Sequence, residues 1–135
     1  MPIDWTVENE LTVVNIVPAT RVTDATPVTS TDFDVRTYDP GSRFLLILDA
    51  FETNAANTGG TWTVTESLTD GGVYTTATTD GALTATGETA GNVQRTVAVL
   101  PNPAKPFVHA VFTGADATTE VDVTANLVVV PRATV

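Results

Sequence analysis

Strict alternation between apolar and polar residues constrains the fold of this chain more than any other feature. In the segment 120–130, EVDVTANLVVV, every second residue from Val121 to Val129 is apolar. Of the residues between them, Asp122, Thr124 and Asn126 are polar. A period of two belongs to a β-strand with one buried face, because successive side chains point to opposite sides of the sheet. No segment shows the apolar spacing of an amphipathic helix. We therefore predict essentially no long helix.

A second alternating segment predicts a β-hairpin near residue 70. In residues 61–68, TWTVTESL, the residues Trp62, Val64 and Leu68 share one parity, whereas threonines and a serine occupy the other. Asp70-Gly71-Gly72 follows, a sequence that supplies the positive φ angles of a tight turn. The chain then returns as VYTTATT. We expect one apolar face and one hydroxylated face in this hairpin.

Further strand-like segments are separated by turn signals. We predict strands at 11–17 (ending at Pro18), 43–51, 92–99 and 106–113, in addition to the hairpin and the final strand. The segment 43–51, RFLLILDAF, is apolar on both parities, which predicts a central strand covered on both faces or a strand at a subunit contact.

The predicted fold class is all-β. Roughly seven or eight short strands favour a single antiparallel β-sandwich, with jelly-roll or immunoglobulin-like order left open. We place this domain at residues 11–135 and predict an N-terminal arm at residues 1–10.

Composition narrows the range of partners. The 135 residues suit one domain, and the absence of cysteine removes disulfides and thiolate chemistry. Sixteen acidic residues against six basic ones give a net charge of −10. Such a surface is repelled by phosphate backbones and anionic lipids, so we expect no nucleic-acid and no membrane partner.

The N-terminus MPIDWTVENE has neither the cationic nor the apolar part of a secretory signal, so we expect synthesis in the cytoplasm.

Residues that could perform chemistry are sparse. His109, the one histidine, is flanked by apolar residues and is predicted to be structural or a contact residue rather than a catalytic base. Asp32, Asp34 and Asp39 resemble calcium-ligand spacing, but the glycine and terminal glutamate of a calcium loop are missing. We expect no metal, no cofactor and no enzymatic activity. A hydrolase with paired carboxylates is the least favoured alternative.

Trp5 lies in the predicted arm, next to Asp4. An aromatic side chain on such a segment requires an apolar pocket, because burying it stabilises by about 1.5–3 kcal/mol. The pocket belongs either to the same sandwich or to a partner, and the sequence leaves both alternatives open.

The order of several segments resembles that of small β-sandwich structural proteins of tailed bacteriophages, which are minor capsid or decoration proteins. The similar segments span about residues 18–132 and read, in order, PATRVTDAT, FLLILDA, TWTVTESLTDGGVYTT, NVQRTVAV and KPFVHAVFTGADATTEVDVTANLVV. This chain departs from the group at Pro106 and His109, where the group often carries arginine, and residues 1–17 do not match it securely.

This resemblance implies a virion protein on the outer surface of an icosahedral head. It would bind the lattice of the major capsid protein as a homo-oligomer, with a trimer favoured, and stabilise the shell. The predicted contact residues are Trp5, Phe44, Leu46, Leu48, Phe51 and His109. Two alternatives stay open: a head-fibre, neck or tail protein, and a carbohydrate-binding adhesin module that uses Trp5, Tyr38 and Tyr74.

Overall fold

Two antiparallel β-sheets pack face to face in the computed structural model, which describes residues 11–52, 59–77, 93–100 and 105–131. Nine strands lie within these residues: β1 (Thr12–Val22), β2 (Val28–Thr29), β3 (Phe33–Asp34), β4 (Arg43–Glu52), β5 (Gly60–Ser67), β6 (Thr75–Thr76), β7 (Val93–Leu100), β8 (Phe107–Gly114) and β9 (Val121–Val130). The helical structure of the described residues is limited to a short 3-10 turn at Val35–Thr37. The predicted all-β sandwich is confirmed.

The strand order identifies the type of sandwich. The first sheet has the order β1-β9-β4-β7, and the second has the order β2-β8-β5-β6. β3 also pairs with β8, on the same edge as β2, so β2 and β3 act as one interrupted strand. Counted in this way, eight strands are arranged 1-8-3-6 and 2-7-4-5, which is the jelly-roll order. The chain is therefore a jelly roll rather than an immunoglobulin-like sandwich.

The core forms where the alternating faces of the two sheets meet. The odd-numbered residues of β9 from Val121 to Val129 are buried, and the polar residues between them point outward. The second sheet contributes Trp62 and Phe112, both fully buried. Their rings meet edge to face with centroids 5.2 Å apart, a favoured geometry for aromatic pairs. The parity predicted for β9 and for Trp62 is thus confirmed.

Pro18 does not end the first strand, so that prediction was wrong. β1 continues through Pro18 to Val22, with register shifts between Asn15 and Val17 and between Val17 and Thr20. The Asn15 side-chain amide donates to the Val17 carbonyl (3.1 Å), across the first shift. Because β1 is an edge strand and Pro18 lies within the second shift, its missing N–H costs no ladder hydrogen bond.

The predicted hairpin is confirmed, with one correction. β5 and β6 pair antiparallel, and Gly71 in the turn has a φ of +66°. Leu68 was predicted to share the buried face, but it is exposed. The reason is that β5 ends at Ser67, so the alternation no longer fixes the direction of the next side chain.

Candidate functional site

An apolar patch covers part of the outward side of the first sheet. We call it the apolar face, and it consists of Val13, Leu45, Ile47, Val97 and Val128. Val128 lies between Val13 and Leu45 on neighbouring strands, and Ile47 lies opposite Val97. The outer members are the most exposed, Val13 at 62% and Val97 at 50%. Val128 is itself only 8% exposed, so the apolar surface that reaches solvent comes from β1, β4 and β7 and is packed around Val128.

Charged side chains border the apolar face. At one end, Arg21 contacts both Asp122 carboxylate oxygens (2.8 and 2.9 Å) and also Glu120 (2.9 Å). The hydrogen bonds from Arg21 hold the pKa of Asp122 below its usual value. Arg43 and Asp49 lie on the same side of the sheet. The described charged side chains on this side are therefore two arginines and three acids, Arg21, Arg43, Asp49, Glu120 and Asp122, with a net charge of −1. The chain as a whole carries −10.

The structure corrects the predicted contact residues of β4. Phe44, Leu46 and Leu48 face the second sheet and are buried in the core, so they cannot contact a partner in the folded domain. One face of β4 is covered by the second sheet, and the opposite parity, Leu45 and Ile47, is the one that points outward. Phe51 does point outward and is 36% exposed. Trp5 lies outside the described residues.

His109 belongs to a three-residue cluster on the outward side of the second sheet. Its Nδ1 atom lies 2.8 Å from Asp32 Oδ1, and the Tyr74 hydroxyl donates to Asp32 Oδ2 (2.5 Å). The imidazole and phenol rings stack, with centroids 3.8 Å apart and an interplanar angle of 18°. The cluster ties the segments before β3 and β6 to β8. Because the His109 side chain is only 13% exposed, its geometry favours a structural role.

The acidic run 32–39 does not converge on one point. Asp34 accepts hydrogen bonds from the backbone and the guanidinium of Arg36, whereas Asp32 faces His109. In the part of the chain that the structure describes, no group of three or more histidine, aspartate or glutamate side chains could hold a metal ion.

The two tyrosines predicted for glycan contact are not brought together. Tyr38 packs edge to face against Phe44 (centroids 5.6 Å apart) and is partly buried against the core. Tyr74 lies just before β6 of the second sheet, and one face of its ring is stacked on His109. These two rings therefore do not form a shared flat platform for a sugar.

The Asp32–His109–Tyr74 cluster predicts an unusual alkaline titration. Burial, followed by the hydrogen bond to Asp32, raises the pKa of Tyr74 from 10.0 to about 12. Below pH 10 both the folded and the unfolded chain keep this proton. Between pH 10 and 12 the unfolded chain loses it first, so the free energy of unfolding is expected to fall with rising pH through this window.

Phenolate absorbance measures this pKa directly. A Tyr38→Phe background leaves Tyr74 as the one tyrosine, because the chain has two. In that background Asp32→Asn should lower the Tyr74 pKa part of the way, since burial, the larger cause, remains. Far-ultraviolet circular dichroism at each pH controls for unfolding. A Tyr74 that titrates near its ordinary value while the fold is intact would contradict the cluster.

Comparison with known proteins yields no assignment: the chain matches no family model and no curated protein significantly. Within the described ranges, no helix is long and apolar enough to cross a membrane. Function must therefore be argued from the fold and the surfaces of the domain.

Proposed function

We propose that this protein is a non-enzymatic structural protein of a bacteriophage particle, which binds the outside of an icosahedral head and stabilises the shell. The observation that carries the proposal is the apolar face. Docking it against another protein removes apolar surface from water, which stabilises the complex by roughly 25 cal/mol per Å². Jelly rolls occur in viral capsid domains and in lectins, so the fold is compatible with this role by analogy alone.

The distribution of charge also favours the outward side of the first sheet as the contact surface. The outward side of the first sheet holds a described net charge of −1, while exposed acids such as Asp24, Asp39, Asp70 and Asp116 lie in loops elsewhere. Another acidic protein is therefore repelled least when it approaches the apolar face. The outward side of the second sheet has threonines instead, including Thr61 and Thr63, whose hydroxyls hydrogen-bond well to water.

The expected partner is the lattice of the major capsid protein, together with neighbouring copies in a homotrimer. A protein that binds only the assembled shell shifts the equilibrium towards that shell by mass action. Several copies joined in one oligomer hold more firmly than one copy, because the later contacts form within the complex. Shell stabilisation therefore needs neither a catalytic residue nor a cofactor.

Co-sedimentation with expanded, empty heads that lack this protein tests the proposal. We expect saturable binding with a fixed copy number per head, and light scattering of the free protein should give the mass of a trimer. Bovine serum albumin at the same concentration controls for trapping in the pellet.

A failure to bind heads at any concentration would overturn the capsid assignment. Binding to purified tails or necks would then support the head-fibre, neck or tail alternative. Binding on a glycan array that is lost on Tyr74→Ala would support the adhesin alternative.

A further inference from the structure

The turn between β5 and β6 carries the sequence Asp70-Gly71, and both residues are exposed. Gly71 has a φ of +66°, and a Cβ atom added to it would meet nothing within 4 Å. The backbone nitrogen of Gly71 is the nitrogen closest along the chain to the Asp70 side-chain carboxyl group. Because glycine has no side chain, nothing on the second residue hinders the approach of these two groups.

An Asp-Gly pair can modify its own backbone through a cyclic imide. The Gly71 nitrogen attacks Cγ of the protonated Asp70 carboxyl group, and the new C–N bond closes a five-membered ring. The carboxyl hydroxyl leaves as water, with the proton from the nitrogen. Water then opens the ring at either carbonyl, which gives back aspartate or gives isoaspartate, in which the main chain runs through the former side chain. The sequence therefore holds all the reacting groups except water.

The structure holds this turn next to the reacting pair. The Gly72 N–H donates to the Thr69 carbonyl (3.0 Å), and the Ser67 hydroxyl donates to the same carbonyl (2.8 Å). Gly72 is packed so closely that an added Cβ atom would clash with the Thr69 hydroxyl. The hydrogen bond from Gly72 to Thr69 spans the peptide between Asp70 and Gly71. Rotation of that peptide towards the Asp70 side chain, which ring closure requires, therefore opens the turn.

Tyr74 anchors the chain on the far side of the turn. Its hydroxyl donates to Asp32 Oδ2 (2.5 Å), and its ring stacks on His109. Val73, between Gly72 and this anchor, is 85% exposed and so contributes little to holding the turn. An opened turn must move the chain that leads into Tyr74. The Asp32–His109–Tyr74 cluster thus opposes the motion that brings the reacting groups together.

We propose that Asp70-Gly71 is a site of spontaneous isomerisation, in which Asp70 becomes isoaspartate, and that the Tyr74 anchor limits the rate in the folded domain. Isoaspartate adds one carbon atom to the main chain within the turn. The turn hydrogen bond and the position of Tyr74 cannot both be kept in the product, so the change reaches the outward side of the second sheet. This proposal does not depend on the proposed binding to a phage head.

Ageing of the folded protein in mildly acidic buffer, followed by digestion, tests the site. An endoproteinase that cleaves before aspartate does not cleave before isoaspartate. The unmodified chain gives a fragment of residues 70–79, whereas isoaspartate at position 70 gives a fragment of residues 49–79. The second Asp-Gly pair, Asp80-Gly81, lies outside the described residues. Isoaspartate at position 80 gives a fragment that starts at Asp70 and continues past residue 80, so the two positions are distinguished.

A variant of the anchor tests the control of the rate. Tyr74→Ala should accelerate isoaspartate formation at position 70 about tenfold, the factor by which loss of one hydrogen bond to a carboxylate shifts a local opening equilibrium. Val73→Ala, a truncation at the neighbouring exposed residue, is the matched control and should age like the wild type. Circular dichroism before and after ageing verifies that each protein stays folded.

No isoaspartate at position 70 in either the aged wild type or the aged Tyr74→Ala protein would overturn the site. Equal rates in these two proteins, or an equal acceleration in Val73→Ala, would overturn the role of the anchor. If Tyr74→Ala does not fold, Tyr74→Phe takes its place. It keeps the ring and loses the hydrogen bond to Asp32, so a smaller acceleration is expected, and an unchanged rate would overturn the anchor.

Discussion

Trp62→Ala is expected to lower the free energy of unfolding by about 3–5 kcal/mol, the cost typical of removing a large aromatic side chain from a core. Trp62 is fully buried, and its ring packs edge to face on Phe112. Both residues belong to the core between the two sheets, and in a close-packed core the removal of a large ring leaves a cavity that the surroundings fill only in part. A loss of this size is a large share of the roughly 5–15 kcal/mol by which domains are usually stable.

Urea unfolding followed by circular dichroism measures the loss, and two variants serve as controls. Trp62→Phe should cost clearly less, because an aromatic ring remains and the indole N–H has no hydrogen-bond partner among the described residues. Thr61→Ala, on the exposed side of the same strand, should change stability by less than about 0.5 kcal/mol. A Trp62→Ala variant as stable as Thr61→Ala would mean that Trp62 does not lie in the core.

The fold was predictable from sequence to the extent that it follows from local alternation. The inward parity of β9, the burial of Trp62 and the turn at Gly71 all follow from a period of two and from turn chemistry. Tertiary context decided the rest. Pro18 is tolerated because β1 is an edge strand with register shifts, and neither property can be read from residues 11–22 alone.

The surfaces were less predictable than the strands. A strand that is apolar on both parities does not reveal which parity faces the second sheet, so Phe44, Leu46 and Leu48 were assigned to a contact although they are buried. To predict the apolar face, one must also know that β4 lies between β9 and β7, two strands that are distant from it in sequence. The contact between His109 and Asp32 could not be predicted from local sequence either, because the two residues are 77 positions apart.

The two sides of the sandwich differ in chemistry, and this difference makes the proposed function testable on the folded protein. The first sheet presents valine, leucine and isoleucine outward, whereas the second presents threonines and the Asp32–His109–Tyr74 cluster. Substitutions of the same kind can therefore be placed on either side, with the same change in net charge. A general effect of charge on binding is thereby separated from the effect of a specific surface.

Val13→Glu combined with Val97→Glu is expected to weaken binding to heads at least about a hundred-fold, equivalent to roughly 2.7 kcal/mol. The two residues are the most exposed members of the apolar face and lie on the two edge strands of the first sheet. Each glutamate keeps its charge in water in the free protein, so the fold should persist. In a complex, the same charges would be buried without partners, which is costly.

The matched control is Thr29→Glu combined with Thr61→Glu, which adds the same two charges to exposed positions of the second sheet. Co-sedimentation of both double variants with empty heads, after circular dichroism shows that both are folded, gives the comparison. Loss of binding in the first variant alone assigns the contact to the apolar face. Equal loss in both would mean that added negative charge alone weakens binding, and unchanged binding in the first would remove the apolar face from the proposed contact.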